Sequence, residues 1–139
     1  MRLIEQTGIT PERIGAVAGA AGGPKWLVLA GIDRLLFGDW MQARQSPLPL
    51  VGSSIGSWRF AAAAQPDSVA AINQLEKLYI EQQFSQQPDI GEITAMGRQI
   101  LQSLLGQSGA KMILSHPWAR LHVVTAHCQR GTVTDKSLP

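Results

Sequence analysis

The stretch L-P-L-V-G-S-S-I-G-S-W-R-F-A-A-A-A, residues 48–64, passes from a short apolar run through small residues into a helix-forming segment. The pattern predicts a buried strand, a tight turn and a helix. Gly52 and Gly56 lie two residues before and after Ser54, where a Cβ atom would collide with the backbone of such a turn. The turn is expected to expose the hydroxyl of Ser54 at the N-terminus of the following helix, where the helix dipole favours negative charge. This pattern predicts a nucleophile elbow with Ser54 as the nucleophile; a Gly-rich turn capped by a serine is the alternative.

A similar strand-to-helix turn precedes this one, in I-G-A-V-A-G-A-A-G-G-P-K, residues 14–25. Its apolar start, residues 14–18, predicts a strand, and its glycines predict a turn with close backbone approach. Pro24 is typical of a first helical turn, and the helix is predicted to run through Phe37 and end at Gly38. Strand, turn and helix thus occur twice in succession, which predicts parallel strands in an α/β fold.

The second half of the chain predicts two amphipathic helices and a third strand. Apolar residues recur at helical spacing over residues 69–79 and again over residues 93–104. The other predicted features are a cap at Asp67 or Ser68, a helix stop at Gly106 and a strand over residues 121–128. We therefore expect an α/β domain of three layers, with a mainly parallel sheet and flanking helices. Its predicted parts are a polar leader (1–12), the domain (13–131) and a polar tail (132–139).

Composition narrows the class of protein. With 139 residues, 45% of them hydrophobic and 16% charged, the chain fits one globular domain. Its net charge is +2, and its basic residues are scattered along the chain. This distribution gives no reason to expect nucleic acid as a partner. A single cysteine, Cys128, excludes an internal disulfide and a cysteine-based zinc cluster, and no metal or organic cofactor is implied. No secretory signal or run of eighteen apolar residues occurs, so we expect a cytoplasmic protein.

The glycine-rich loop before Lys25 predicts an oxyanion hole. Acyl transfer needs backbone N–H groups directed at the developing negative charge, and Gly22 and Gly23 follow a strand parallel to the one before Ser54. Ile55, next to that serine, would add another N–H. The alternative for the loop is that glycine allows close packing of a helix on the sheet.

This loop is similar to two nucleotide-binding motifs, but it lacks residues that each motif requires. A dinucleotide fingerprint requires glycine where the chain has Val17. A phosphate-binding P-loop requires Gly-Lys-Ser/Thr, and the chain has Pro24, Lys25 and Trp26 there. A nucleotide-binding α/β domain remains the weakest of the alternatives.

Together the two turns resemble the patatin-like phospholipase family over residues 14–64. The resemblance lies in the Gly-rich turn with its basic residue, the helix with G-I-D-R-L-L at residues 31–36, and G-S-S-I-G about thirty residues after the turn. It implies a serine acyl hydrolase that attacks lipid or other acyl esters and makes peripheral contact with a membrane. By position, the resemblance assigns Gly22, Gly23 and Lys25 to the family's first motif and Ser54 to its nucleophile. The residue patterns add Ile55 as an oxyanion donor, Gly52 and Gly56 in the elbow, and Lys25 and Arg59 as contacts for an anionic group.

The sequence lacks the motif that carries the family's catalytic aspartate. That aspartate lies in a D-G-G or D-G-A motif, and none of the five aspartates here precedes a glycine. A Ser…Asp…His order through Asp89 and His116, His122 or His127 is a weaker alternative, since only one strand precedes the elbow. A serine without a base is a weak nucleophile, so we expect a truncated domain with little or no turnover. The alternative is an inactive lipid- or partner-binding remnant, and the open sheet edge predicts self-association.

Overall fold

A computed structural model describes residues 8–127 of the chain. Its sheet has three parallel strands in the order β1-β2-β3. The strands are β1 (Val17–Gly19), β2 (Leu48–Ser53) and β3 (Ala119–Val124). The parallel α/β prediction is therefore confirmed. The first strand is shorter than predicted, and the third begins two residues earlier; Cys128, its predicted last residue, lies outside the described residues.

Helical segments connect and follow the strands. A 3-10 helix (Gly23–Leu29) leads into α1 (Ala30–Leu35), which continues as a π-helical segment (Leu36–Trp40). The other helices are α2 (Ile55–Ala63), α3 (Ser68–Ile80), α4 (Ile90–Leu105) and α5 (Gly109–Leu114), and Pro11–Arg13 form a 3-10 turn.

The predicted start of the first amphipathic helix and the predicted end of the second are confirmed. The carboxylate of Asp67 accepts a hydrogen bond from the backbone N–H of Ala70 at 2.8 Å and so caps α3. Asp89 caps α4 in the same way, through the N–H of Glu92. Gly106 follows α4 with φ +55°, a conformation that favours glycine at helix ends.

Gly38 has a different role from the predicted one. The helical segment does not stop there but continues to Trp40. A Cβ atom on Gly38 would collide with the side chain of Val69 on α3. Glycine at this position therefore allows two helical segments to pack closely, a contact that sequence periodicity does not reveal.

The helices cover one face of the sheet. Leu48 and Leu50 point to that face and are fully buried in the core. On the opposite face Ala18, Val51 and His122 share one register and are exposed. Within residues 8–127 the fold therefore has two layers, which corrects the predicted three-layer arrangement.

A buried ion pair joins α1 to α2. Asp33 on α1 accepts two hydrogen bonds from the guanidinium of Arg59 on α2, at 2.6 and 2.7 Å. The Asp33 side chain is 4% exposed and that of Arg59 is 11% exposed. Removing one partner would leave the other charge buried without compensation, so the pair holds α2 in place against α1.

We expect Arg59→Met to destabilise the fold by about 3–5 kcal/mol, because it leaves the carboxylate of Asp33 buried and unpaired. Arg34→Met is the matched control. Arg34 also pairs with a carboxylate, that of Glu76, but both side chains are about 30% exposed, and such pairs contribute about 0–1 kcal/mol. Urea unfolding followed by circular dichroism measures both variants. Equal losses in the two variants would contradict the role of the buried pair.

Candidate active site

Ser54 lies in a strained backbone conformation between β2 and α2. Its φ is 51° and its ψ is −125°, and no other non-glycine residue in the described part of the chain has a positive φ. Such a conformation costs about 1–3 kcal/mol and persists only where the surrounding structure enforces it. Because the strand ends at Ser53 and the helix begins at Ile55, the turn consists of this one residue.

Three glycines enforce the turn by allowing the backbones of two strands and one helix to touch. A Cβ atom on Gly52 would lie 2.5 Å from the Cα of Ser57, and one on Gly56 would collide with the carbonyl oxygen of Gly19. A Cβ atom on Gly19 would in turn lie 2.7 Å from the ring of Phe60. The positions of Gly52 and Gly56 are those that the elbow pattern requires. Gly19 lies in the glycine-rich stretch 14–25, for which close backbone approach was predicted, although the sequence did not single it out from the other glycines there.

The loop after β1 brings one of the predicted oxyanion donors next to the elbow. Gly23 has φ +51°, which favours glycine, and it lines a cavity together with Ser54 and Ile55. Gly22 is exposed, and a Cβ atom there would meet only the Cβ of Lys25, at 3.9 Å. Close packing therefore does not explain Gly22, and Gly22 is not among the residues that line this cavity.

The cavity has a volume of about 450 Å³ and a largely apolar wall. It lies between the elbow and the helices α2, α3 and α4. Its lining consists of Gly23, Ser54, Ile55, Trp58, Tyr79, Gln82, Phe84, Ile93, Thr94, Gly97, Arg98 and Leu101. An apolar cleft next to an exposed serine is suited to hold the hydrocarbon part of a ligand.

The two residues predicted to contact an anionic group, Arg59 and Lys25, lie in different surroundings. Arg59 is bound to Asp33 and does not line the cavity. Lys25, in the 3-10 helix that begins at Gly23, is exposed and also lies outside the lining. Arg98 on α4 does line the cavity, and no sequence pattern distinguished it from any other exposed arginine.

Among residues 8–127, no carboxylate and no imidazole lines this cavity. Asp89, the aspartate of the alternative triad, caps α4. The Nδ1 of His116 accepts a hydrogen bond from the N–H of Ala119 at 2.9 Å, and burial together with the nearby charge of Arg120 lowers the pKa of this imidazole. His116 lines a different cavity, and His122 and His127 are exposed.

We expect Gly56→Ala to destabilise the protein by about 1–3 kcal/mol or more, because the added methyl group has to displace the backbone at Gly19. Gly31→Ala is the control, since a Cβ atom on Gly31 meets nothing within 4 Å. Alanine there favours the helix by up to about 1 kcal/mol. Thermal unfolding compares the two variants. A neutral Gly56→Ala would contradict the close contact between β1 and α2.

Two further findings bear on the class of protein. Among residues 8–127 no helix is long and apolar enough to cross a membrane. No protein-family model, no curated protein and no solved structure matches the chain.

Proposed function

We propose that this chain carries the nucleophile and the oxyanion hole of a patatin-like serine acyl hydrolase that acts on lipid or other acyl esters. The observation that carries the proposal is the positive φ of Ser54 at a strand-to-helix turn beside an apolar cavity. A strained turn of this kind presents a serine hydroxyl to a bound ester. The resemblance of the two glycine-rich turns to that family supports the same conclusion.

In the proposed reaction the Oγ of Ser54 attacks the carbonyl carbon of the ester. The carbonyl oxygen becomes negative and accepts hydrogen bonds from the backbone N–H groups of Gly23 and Ile55. The first N–H groups of α2 have no carbonyl one turn earlier to bond, so the start of this helix also favours the negative charge. The alcohol then leaves with a proton, and water hydrolyses the acyl-enzyme. The apolar cavity holds the acyl chain.

The base that takes the proton from Ser54 is not part of the cavity wall. In the family that the chain resembles, an aspartate performs this step. We infer that the carboxylate belongs to a segment other than residues 8–127. With hydroxide as the only base, the reactivity of Ser54 rises with pH instead of levelling off near neutrality.

A fluorophosphonate probe tests the nucleophile. We expect slow labelling at Ser54, faster by about tenfold for each pH unit between 7 and 9, because the alkoxide fraction rises in that proportion. Ser54→Ala should abolish the labelling. Ser53→Ala is the matched control, since it removes the neighbouring hydroxyl and should label like the wild type. Mass spectrometry locates the adduct, and labelling that survives in Ser54→Ala would disprove the proposal.

A second candidate function is lipid binding without chemistry. The apolar cavity with no base in its wall favours it. Under this alternative the probe does not react, and a long-chain alcohol binds equally well to wild type and Ser54→Ala.

Gly97→Leu tests whether the cavity holds an apolar chain under either function. A Cβ atom on Gly97 would already lie 3.4 Å from the ring of Trp58, so a leucine side chain fills the space beside it. We expect decanol to bind about tenfold more weakly, because the variant excludes several methylene groups from the cavity. Ala95→Leu adds the same side chain at an exposed position of α4 and should leave the affinity unchanged. Calorimetry measures both, and equal affinities would show that the chain binds elsewhere.

A further inference from the structure

Tyr79 forms the wall of the cavity on the side of the oxyanion loop. It lies one residue before the end of α3, and its ring meets the ring of buried Trp26 edge to face, with 5.7 Å between ring centroids and an interplanar angle of 89°. Trp26 belongs to the 3-10 helix that begins at Gly23. The ring of Tyr79 is therefore held against the element that carries the predicted oxyanion donor.

The hydroxyl of Tyr79 is free to bind a ligand. Its oxygen lies 4.0 Å from the position that a Cβ atom on Gly23 would occupy. In the part of the chain that the structure describes, this hydroxyl has no hydrogen-bond partner, and Tyr79 is among the residues that line the same cavity as Ser54. Burial raises the pKa of the phenol, so the group keeps its proton at neutral pH and acts as a donor.

The number of backbone donors in the cavity wall is smaller than the sequence predicted. Of the three backbone N–H groups predicted from the sequence, those of Gly23 and Ile55 belong to residues that line the cavity, and that of Gly22 does not. Tyrosine hydroxyl groups are among the side-chain donors that stabilise tetrahedral intermediates in other enzymes.

We propose that the hydroxyl of Tyr79 donates a hydrogen bond to the carbonyl oxygen of the bound ester, as a side-chain member of the oxyanion hole beside Gly23. This inference rests on the proposed function. As the bond between the Oγ of Ser54 and the carbonyl carbon forms, the π electron pair of the carbonyl moves to its oxygen. Tyr79 stabilises that charge and keeps its own proton throughout. The hydrogen bond strengthens as the charge develops, so its effect falls on the rate more than on ground-state binding.

Tyr79→Phe removes the hydroxyl and keeps the ring against Trp26. We expect the rate of fluorophosphonate labelling at Ser54 to fall by about 10²-fold, as when one oxyanion donor is lost. Ser103→Ala, which removes an exposed hydroxyl on α4, is the control and should label like the wild type. An unchanged rate in Tyr79→Phe would overturn the inference.

Octanoate binding tests the hydroxyl without any reaction. The carboxylate imitates the product, with one oxygen in the oxyanion hole and its chain in the cavity, whereas 1-octanol offers the chain alone. We expect Tyr79→Phe to bind octanoate at least fivefold more weakly and octanol as tightly as wild type does. Because Tyr79 is the only tyrosine of the chain, its phenol resonance also reports the contact.

The two experiments separate the inference from the proposed function. If Ser54 is labelled and both proteins bind octanoate equally, the role of Tyr79 is wrong and the hydrolase proposal stands. If Ser54 is not labelled but the octanoate affinity depends on Tyr79, the hydrolase proposal fails and the hydroxyl is still a ligand for an anionic oxygen. If wild type does not bind octanoate, the inference is overturned.

Discussion

The site depends on a steric constraint, the absence of Cβ atoms where β1, β2 and α2 meet. Gly19, Gly52 and Gly56 let these backbones approach to distances at which any side chain would collide. The helix is thereby forced to start immediately after the strand, and Ser54 takes up the whole change of direction. Packing energy from the buried strand and the alanine-rich helix offsets the strain at this one residue.

The remaining walls of the site come from helices that separate interactions hold in place. The ion pair between Asp33 and Arg59 ties α2 to α1, and the contact between Trp26 and Tyr79 ties α3 to the 3-10 helix that begins at Gly23. The cavity lies between these helices and the elbow, so its shape depends on tertiary contacts more than on the sheet. A change at Arg59 therefore acts on the site through the position of α2, without contact with a ligand.

Local patterns in the sequence were enough to predict the strand-to-helix turn at Ser54, the parallel strands and the helix ends at Asp67 and Gly106, because each depends on residues a few positions apart. Contacts between distant segments were not predictable in this way. The partner of Arg59 lies 26 positions away, and Tyr79 belongs to an apolar helical stripe that indicates only burial. The six residues of α5 are too few to show a helical period. The uncovered face of the sheet was missed because parallel strands are usually covered on both faces.

The conformation of Ser54 is also the observation that separates the proposed functional turn from a merely structural one. Glycine adopts a positive φ at little steric cost, so a turn needed only to join β2 to α2 is more stable with glycine at this position. The chain instead has a serine, at a cost of about 1–3 kcal/mol, whose side chain makes no capping hydrogen bond to α2. Helix capping therefore does not explain the residue, and the cavity beside it supplies a reason for the hydroxyl. The geometry thus favours a role for this oxygen toward a bound molecule over a role in folding.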